Sequence, residues 1–423
     1  GEPDRQGVLS FAFEVSPRPM DLTARARLTL VAETVLALGL DDVVRERLRL
    51  LKRRRGLDDF EKLLVVVLML AAGGDCVEDV EILRRDLGLQ RLLGRELPSA
   101  DALHRFLGAF HDEQELAQRP KDGAWIPAEP AALRQLAQVN VELVRRAVAL
   151  RKPRRATLDL DATILESHKR AALAHFKGGR GYQPTAVVWA EEDLIVADEY
   201  RDGNVPAGMQ TWEVAQRGFA ALPVDVVDRY FRGDSACYDV KLLKYLWREK
   251  IAFTISADMT KELRRVCAAR GVCWTMFQKR ETEWVETAEV EFTPGNWPKD
   301  APPMRYVALR FTGQQGRLFD DGTDTKYLAV VSNRSECTPK ELVRWHWEKA
   351  GTIEFVHDVT KNELGVRVPP SGRFGANAAW YRLGLITYNV LTVLRRIALP
   401  ERLHRARPER LRYEIFTVPA EIR

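Results

Sequence analysis

Three acidic residues of this 423-residue chain stand where acids can act together: Asp161, Asp234 and Glu354. Asp161 lies in Leu158-Asp159-Leu160-Asp161-Ala162-Thr163. The run alternates like a strand, with Asp159 and Asp161 on one face and Leu158 and Leu160 on the other. Two acids on one face are costly if that face is buried, and ordinary on a solvated edge strand. Asp234 follows the apolar run Val226 to Arg232 and then Gly233. It falls just past a strand's carboxyl end, where open α/β sheets place ligands; a turn or helix cap is the plain alternative. Glu354 shares a helical face with Asp358 and Lys361, as on any solvated helix, and Glu348 competes with it. Hard divalent cations such as magnesium select carboxylate oxygens. Two of them roughly 3.5–4 Å apart strengthen an attacking oxygen and stabilise a leaving one, which is the chemistry of phosphodiester cleavage.

These acids need elements to position them. Thr157 to Leu165 reads as a strand, and Pro184–Ala190 with Leu194–Tyr200 as a hairpin turning at Glu191-Glu192-Asp193. A helix over about 209–220, a strand over Val226–Arg232, a helix over Asp239–Lys250 and a strand over Ile251–Ala257 follow. Three strands, helix, strand, helix, strand is the order of a ribonuclease H-like core. In that core the first three strands are antiparallel, and the fourth and fifth run parallel to the first. The predicted class is therefore α/β: a mixed sheet flanked by helices. Residues 263–325 read as a β-rich insertion before the last acid, with Thr287–Phe292, Arg305–Phe311, the turn Asp320-Asp321-Gly322 and Trp274, Trp284 and Trp297. Tyr327–Ser332 is one further strand. Thr338-Pro339-Lys340-Glu341 opens a long helix with a capping box. A second apolar helix spans about 376–397.

Combined, these segments resemble the DDE transposases of bacterial insertion sequences, in particular the transposase DDE domain group 1 type. The residues that carry the resemblance run from Leu158 to His168, Lys177-Gly-Gly-Arg-Gly-Tyr-Gln-Pro184, Arg201-Asp-Gly-Asn-Val-Pro206 and Arg232-Gly-Asp-Ser-Ala-Cys-Tyr238. It covers about 155–395 well and the N-terminal helices loosely. The family's Asp-x-Thr selects Asp161 over Asp159, and its Arg-x-Asp-Ser selects Asp234. Glu354 and Lys361 match a Glu-(6)-Lys signature, while that signature's Arg position falls on Ala350. Arg344 or Lys349 is left to contact phosphate, and Glu348 is the fallback acid. The resemblance implies cut-and-paste transposition, with two Mg²⁺ ions (Mn²⁺ substituting) held by Asp161, Asp234 and Glu354. It also implies terminal inverted repeats and target DNA as substrates, and a homodimer. A related nuclease without strand transfer and a non-catalytic DNA-binding derivative are the alternatives.

Charge is spread in keeping with a nucleic-acid partner. The net charge is only +5, but Lys and Arg cluster at 52–55, 145–155, 169–180 and 395–412. Candidate DNA contacts are Arg154, Arg155, His168, Lys169, Lys177, Arg180, Arg344, Lys349 and Lys361, and the resemblance implies a base-stacking aromatic in the insertion, Trp274, Trp284 or Trp297. Lys177-Gly178-Gly179-Arg180-Gly181 lacks the spacing of a nucleotide-binding loop, so no nucleotide cofactor is expected. The expected divisions are a helical DNA-binding and dimerisation region (1–150), a core in two parts (151–262 and 326–398), the insertion (263–325) and a basic C-terminal tail (399–423). Five scattered cysteines without a Cys-x-x-Cys pair argue against a disulfide framework or structural zinc. The longest apolar run, Leu63–Ala72, is too short to cross a bilayer and reads as a buried helix. A cytoplasmic, nucleoid-associated bacterial protein without a secretory leader is expected.

Overall fold

The computed structural model describes residues 17–18, 21–50, 56–295, 297–299, 301, 303–313 and 325–422. The basic cluster at 52–55 and the turn at 320–322 lie outside these. Among the described residues, β1 (Leu22–Thr23) is followed by the helices α1 (Thr29–Ala37), α2 (Leu40–Arg47), α3 (Asp59–Ala71), α4 (Val80–Arg84), α5 (Leu87–Leu93), α6 (Ala100–Gly108), α7 (Glu113–Ala117) and α8 (Ala131–Val148). Local chemistry sets their starts. Asp58 and Glu61 form a capping box at α3, and the Ser99 hydroxyl accepts from the Ala102 amide at α6. Every residue of α3 from Leu63 to Ala71 is buried, which is why its sequence is apolar all round.

The core follows with β2 (Arg155–Ala162), β3 (Leu165–Glu166), β4 (Leu173–Ala174), β5 (Arg180–Tyr182), β6 (Thr185–Trp189), β7 (Leu194–Glu199), α9 (Thr211–Ala221), β8 (Asp228–Gly233), α10 (Val240–Arg248) and β9 (Ala252–Ser256). Then come α11 (Lys261–Cys267), β10 (Thr275–Lys279), β11 (Glu283–Val290), β12 (Arg305–Gly313) and β13 (Thr325–Ser332). The chain closes with α12 (Pro339–Trp347), α13 (Ile353–Glu363), α14 (Phe374–Ala398), α15 (Pro408–Leu411) and β14 (Ala420–Glu421). The main sheet has the order β10-β11-β12-β13-β9-β8-β2-β6-β7. Strands β2, β8 and β9 are parallel, and β6 and β7 are antiparallel to their neighbours. This is the ribonuclease H-like arrangement.

Three features differ from the sequence reading. The first strand ends at Ala162, and Leu165 belongs instead to a small separate sheet of order β3-β5-β4. Strands β10 to β13 extend the main sheet, because β13 pairs antiparallel with β9. The helix opened by Thr338 is broken: α12 and α13 are separated by a 3₁₀ segment, Glu348–Gly351, which contains glycine.

Helix α14 organises the rest. Phe374 through Arg395 are all buried, so its polar groups must find partners. Arg382 donates to Asp198 Oδ1 (2.8 Å) and Oδ2 (2.9 Å) and to Glu129 Oε1 (2.7 Å). Asn389 Nδ2 donates to Asn140 Oδ1 (2.9 Å) and the Ile195 carbonyl (2.8 Å), tying α14 to α8 and β7. The segment after residue 398 folds back: Leu403, Leu411, Ile415 and Phe416 join the core of the N-terminal helices, and β14 pairs with β1. Several of its arginines are paired, Arg407 with Asp358 and Glu363, Arg402 and Arg410 with Glu414. No helix among the described residues is long and apolar enough to cross a membrane.

Candidate active site

Strands β2 and β8 run parallel with Leu160 opposite Gly233. Asp161 and Asp234 are therefore the next residue on each of two adjacent strands, which lie about 4.8 Å apart. Gly233 allows the chain to turn sharply here: a Cβ on it would stand 2.5 Å from the Cys237 Cβ. Asp234 then caps the 3₁₀ turn Ser235–Cys237, its Oδ1 accepting from the Ala236 amide at 3.0 Å. Burial raises the Asp234 pKa, and the nearby Asp161 carboxylate raises it further.

A cation of the protein's own answers this pair. Lys349 Nζ donates to Asp161 Oδ2 at 3.3 Å from the 3₁₀ break between α12 and α13. Burial works against its charge, but Asp161 and Asp234 together hold its pKa above the usual lysine value. Two half-buried carboxylates that draw in a buried ammonium have the donor chemistry of a divalent-cation site, and they fit one.

The structure also separates Asp161 from its neighbour. Asp159 is fully buried, and Arg232, itself 2% exposed, clamps it: Nε donates to Oδ1 (2.7 Å) and Nη2 to Oδ2 (2.9 Å). Thr352 Oγ1 adds a hydrogen bond to Oδ2. Arg232 Nη1 reaches the Trp345 carbonyl (2.8 Å) and Glu348 Oε2 (3.0 Å). Asp159 and Glu348 are thus engaged by one guanidinium, which leaves Asp161 as the acid of β2 with an oxygen facing the Lys349 ammonium.

Helix α13 passes along β2. Thr352 meets Asp159, His357 is buried beside Asp161, and Lys361 Nζ donates to Thr163 Oγ1 at 3.3 Å. Glu354 shares its face with His357 and Lys361, three and seven residues on. It is exposed and makes no hydrogen bond or ion pair among the described residues. The ligand atoms of Asp161, Asp234 and Glu354 do not all lie within 4.8 Å of one another; among the described residues only Asp75, Cys76 and Asp79 do so as a group of three. Asp79 there caps the Asp75 and Cys76 amides.

The expected DNA contacts fall into separate places. His168, Lys169, Lys177 and Arg180 belong to the β3–β5 region just past the carboxyl end of β2, beside Lys361. Arg180 donates to the Ala172 and Arg170 carbonyls and so shapes that region. Arg154 and Arg155 lie at the opposite end of β2, about 20 Å from Asp161 at 3.3 Å per residue. Arg155 there pairs with Glu191 (3.2 Å) and stacks on Tyr230. Arg344 stacks on Phe277, and Trp297 is 7% exposed in the second hydrophobic core. Sequence reasoning missed the Arg232 clamp and His357. His357 is buried beside Asp161, with Nε2 unpartnered, and burial pushes its pKa down to about 4. Arg232 opens the Arg-x-Asp-Ser motif, but nothing in that motif points to Asp159, and His357 carries no motif at all.

A ribonuclease H-like sheet with acids at the carboxyl ends of its adjacent central strands defines the class: enzymes of phosphoryl transfer on nucleic acids. Over residues 13–423 the chain matches the family described as transposase DDE domain group 1 and belongs to it. It is a DDE transposase, an enzyme of DNA cleavage and transfer in cut-and-paste transposition. Such enzymes generally use divalent metal ions. Among solved structures, the chain is similar to the piggyBac transposase in a cryo-EM synaptic complex with hairpin DNA. That likeness has 12% identity and a TM-score of 0.48, over 87% of this chain and 73% of that one. No curated protein sequence matches it.

Proposed function

We propose that Asp161, Asp234 and Glu354 are the catalytic acids of this transposase and hold two magnesium ions at the ends of terminal inverted repeats. The observation that carries this is the placement of Asp161 near the end of β2 and Asp234 just past the end of the adjacent β8, with the Lys349 ammonium against Asp161. Bound there, two divalent cations would activate the attacking oxygen and neutralise the leaving one. The Arg232 clamp keeps Asp159 away from them and fixes β2 against the α12–α13 break. Glu354 supplies the third carboxylate from α13, which Thr352 and Lys361 tie to Asp159 and Thr163 at its two ends. Lys349 moves from Asp161 to the scissile phosphate, and Lys361, Lys169 and Lys177 hold the flanking backbone. Water first cuts the strand, and the freed 3′-hydroxyl then attacks target DNA. The N-terminal helical region and residues 399–423, which share one core, bind the repeats and join two copies of the chain.

The test incubates the protein with labelled terminal-repeat DNA, a target plasmid and Mg²⁺ or Mn²⁺. Cleaved ends joined to the plasmid support the proposal. Cleavage without joining assigns a nuclease, and binding without cleavage assigns a non-catalytic DNA-binding protein.

A further inference from the structure

The loop from Arg201 to Gln210 joins β7 to α9 and is tied down along its length. Arg201 is fully buried: its Nε donates to Glu199 Oε1 (2.7 Å) and its Nη1 to the Ala207 carbonyl (3.2 Å). Asp202 Oδ2 accepts from Arg119 (2.5 Å), and Asn204 Nδ2 donates to the Gly123 carbonyl (3.0 Å), so the loop also fastens the segment that leads in from the N-terminal helices. The Gly203 amide donates to the Gly181 carbonyl (3.0 Å). Two turns follow, with the Val205 amide on the Asp202 carbonyl (3.1 Å) and the Met209 amide on the Pro206 carbonyl (3.0 Å). Burial works against the Arg201 charge, and Glu199 supports it. A buried ion pair seldom adds net stability over an apolar pair; what it can supply is one fixed arrangement.

That arrangement bears on Asp234. Ala207 leads into Gly208, whose backbone lies against the turn after β8: a Cβ on Gly208 would stand 2.8 Å from the Ala236 carbonyl oxygen. Gly208 is not in the left-handed region, so space alone calls for glycine there. The amide of the same Ala236 donates to Asp234 Oδ1 (3.0 Å). Cys237, the last residue of that turn, is buried and interacts electrostatically with the Arg201 guanidinium. Arg201 thus holds Ala207, Gly208 leaves room for Ala236, and Ala236 orients Asp234.

We infer that Arg201 and Gly208 are positioning residues for Asp234: they fix the Ser235–Cys237 turn and, through it, the carboxylate that takes a divalent cation. This rests on the reading of Asp234 as a metal-binding acid. The test titrates the full, DNA-free chain with Mn²⁺ by calorimetry, and measures single-turnover cleavage of terminal-repeat DNA across Mn²⁺ concentrations. It compares wild type with Gly208→Ala, Arg201→Met, Arg201→Lys, Gly218→Ala and Asp234→Asn. Gly218→Ala is the control for crowding, since its methyl would press on Val187 Cγ1 (2.9 Å) in the core beneath α9. Gly208→Ala and Arg201→Met should bind Mn²⁺ about ten- to a hundredfold more weakly, the range for groups that orient metal ligands. They should need correspondingly more Mn²⁺ for half-maximal cleavage, while end binding and circular dichroism stay those of wild type. Arg201→Lys, which keeps a cation beside Glu199, should recover part of the affinity, and Gly218→Ala should bind like wild type. Gly208→Ala decides the matter if Arg201→Met does not fold. Wild-type affinity in Gly208→Ala, where Asp234→Asn has lost it, overturns the inference and leaves the metal reading standing. Equal weakening in Gly208→Ala and Gly218→Ala overturns it in favour of a general loosening of the core. Wild-type affinity in Asp234→Asn overturns both.

Discussion

Replacing Lys349 with methionine keeps most of the unbranched side chain and removes its charge, and it should have opposite effects with and without metal. The ammonium lies 3.3 Å from Asp161 Oδ2. At an effective dielectric of about 20 the gross attraction there is about 5 kcal/mol. The net worth of a hydrogen bond to a charged group is smaller, about 1.5–3 kcal/mol. Without metal, Lys349→Met leaves Asp161 and Asp234 facing each other unbalanced, so the variant should be less stable by about that amount. With metal the balance reverses. A dication entering the wild-type site must displace the ammonium or sit beside it; in the variant it meets only carboxylates. Half of the lower figure, about 0.7 kcal/mol, already gives a threefold tighter site, and 1.4 kcal/mol gives tenfold. Titration of the DNA-free protein with Mn²⁺, followed by calorimetry, reads both effects. The expected result is an earlier-unfolding apo variant that binds Mn²⁺ three- to tenfold more tightly and catches up with wild type at saturation. Equal apo stability together with equal Mn²⁺ affinity would refute the argument, because Lys349 would then not stand where the cation binds.

Other consequences follow from the same geometry. Arg232→Met strands the fully buried Asp159 carboxylate and should destabilise the chain by about 3–5 kcal/mol in chemical denaturation, whereas Arg232→Met with Asp159→Leu should cost much less. His346 is neutral in the fold: burial pushes its pKa down to about 3 while it bonds Ser256 and Thr254. Its unfolded form takes a proton below about pH 6.5, so its contribution is present above that pH and falls on acidification, by about 2 kcal/mol at pH 5. His346→Gln should flatten that part of the stability–pH curve. Asp202 runs the other way. Burial lifts its pKa to about 6 against the pull of Arg119, so its contribution is present below about pH 4 and is lost as pH rises through 6. Asp202→Asn should remove that loss; an unchanged slope in either variant contradicts the assignment of that group.

Local patterns carried most of the fold. The strand order, the β6–β7 hairpin and the Thr338–Glu341 capping box depend on alternation and on residues three apart, and they stand in the structure as read. The placement of Asp161 and Asp234 near the carboxyl ends of neighbouring strands was legible from the alternation of β2 and the apolar run of β8. What was hidden depends on contacts distant in sequence. The break at 348–351 occurs where Lys349 and Thr352 turn toward acids almost two hundred residues earlier. Arg232 reads as a polar strand residue until β2 and α12 close around it. The extension of the sheet by β13 rests on three residue pairs with β9 that no local pattern announces.

The most direct test of the central claim compares single-turnover cleavage of terminal-repeat DNA by wild type, Asp161→Asn, Asp234→Asn, Glu354→Gln and Asp159→Asn, with end binding measured in parallel. The first three variants should bind the ends and cut nothing, whereas Asp159→Asn should lose stability and retain cleavage in whatever fraction remains folded. Cleavage near the wild-type rate by Asp161→Asn or Asp234→Asn would contradict it.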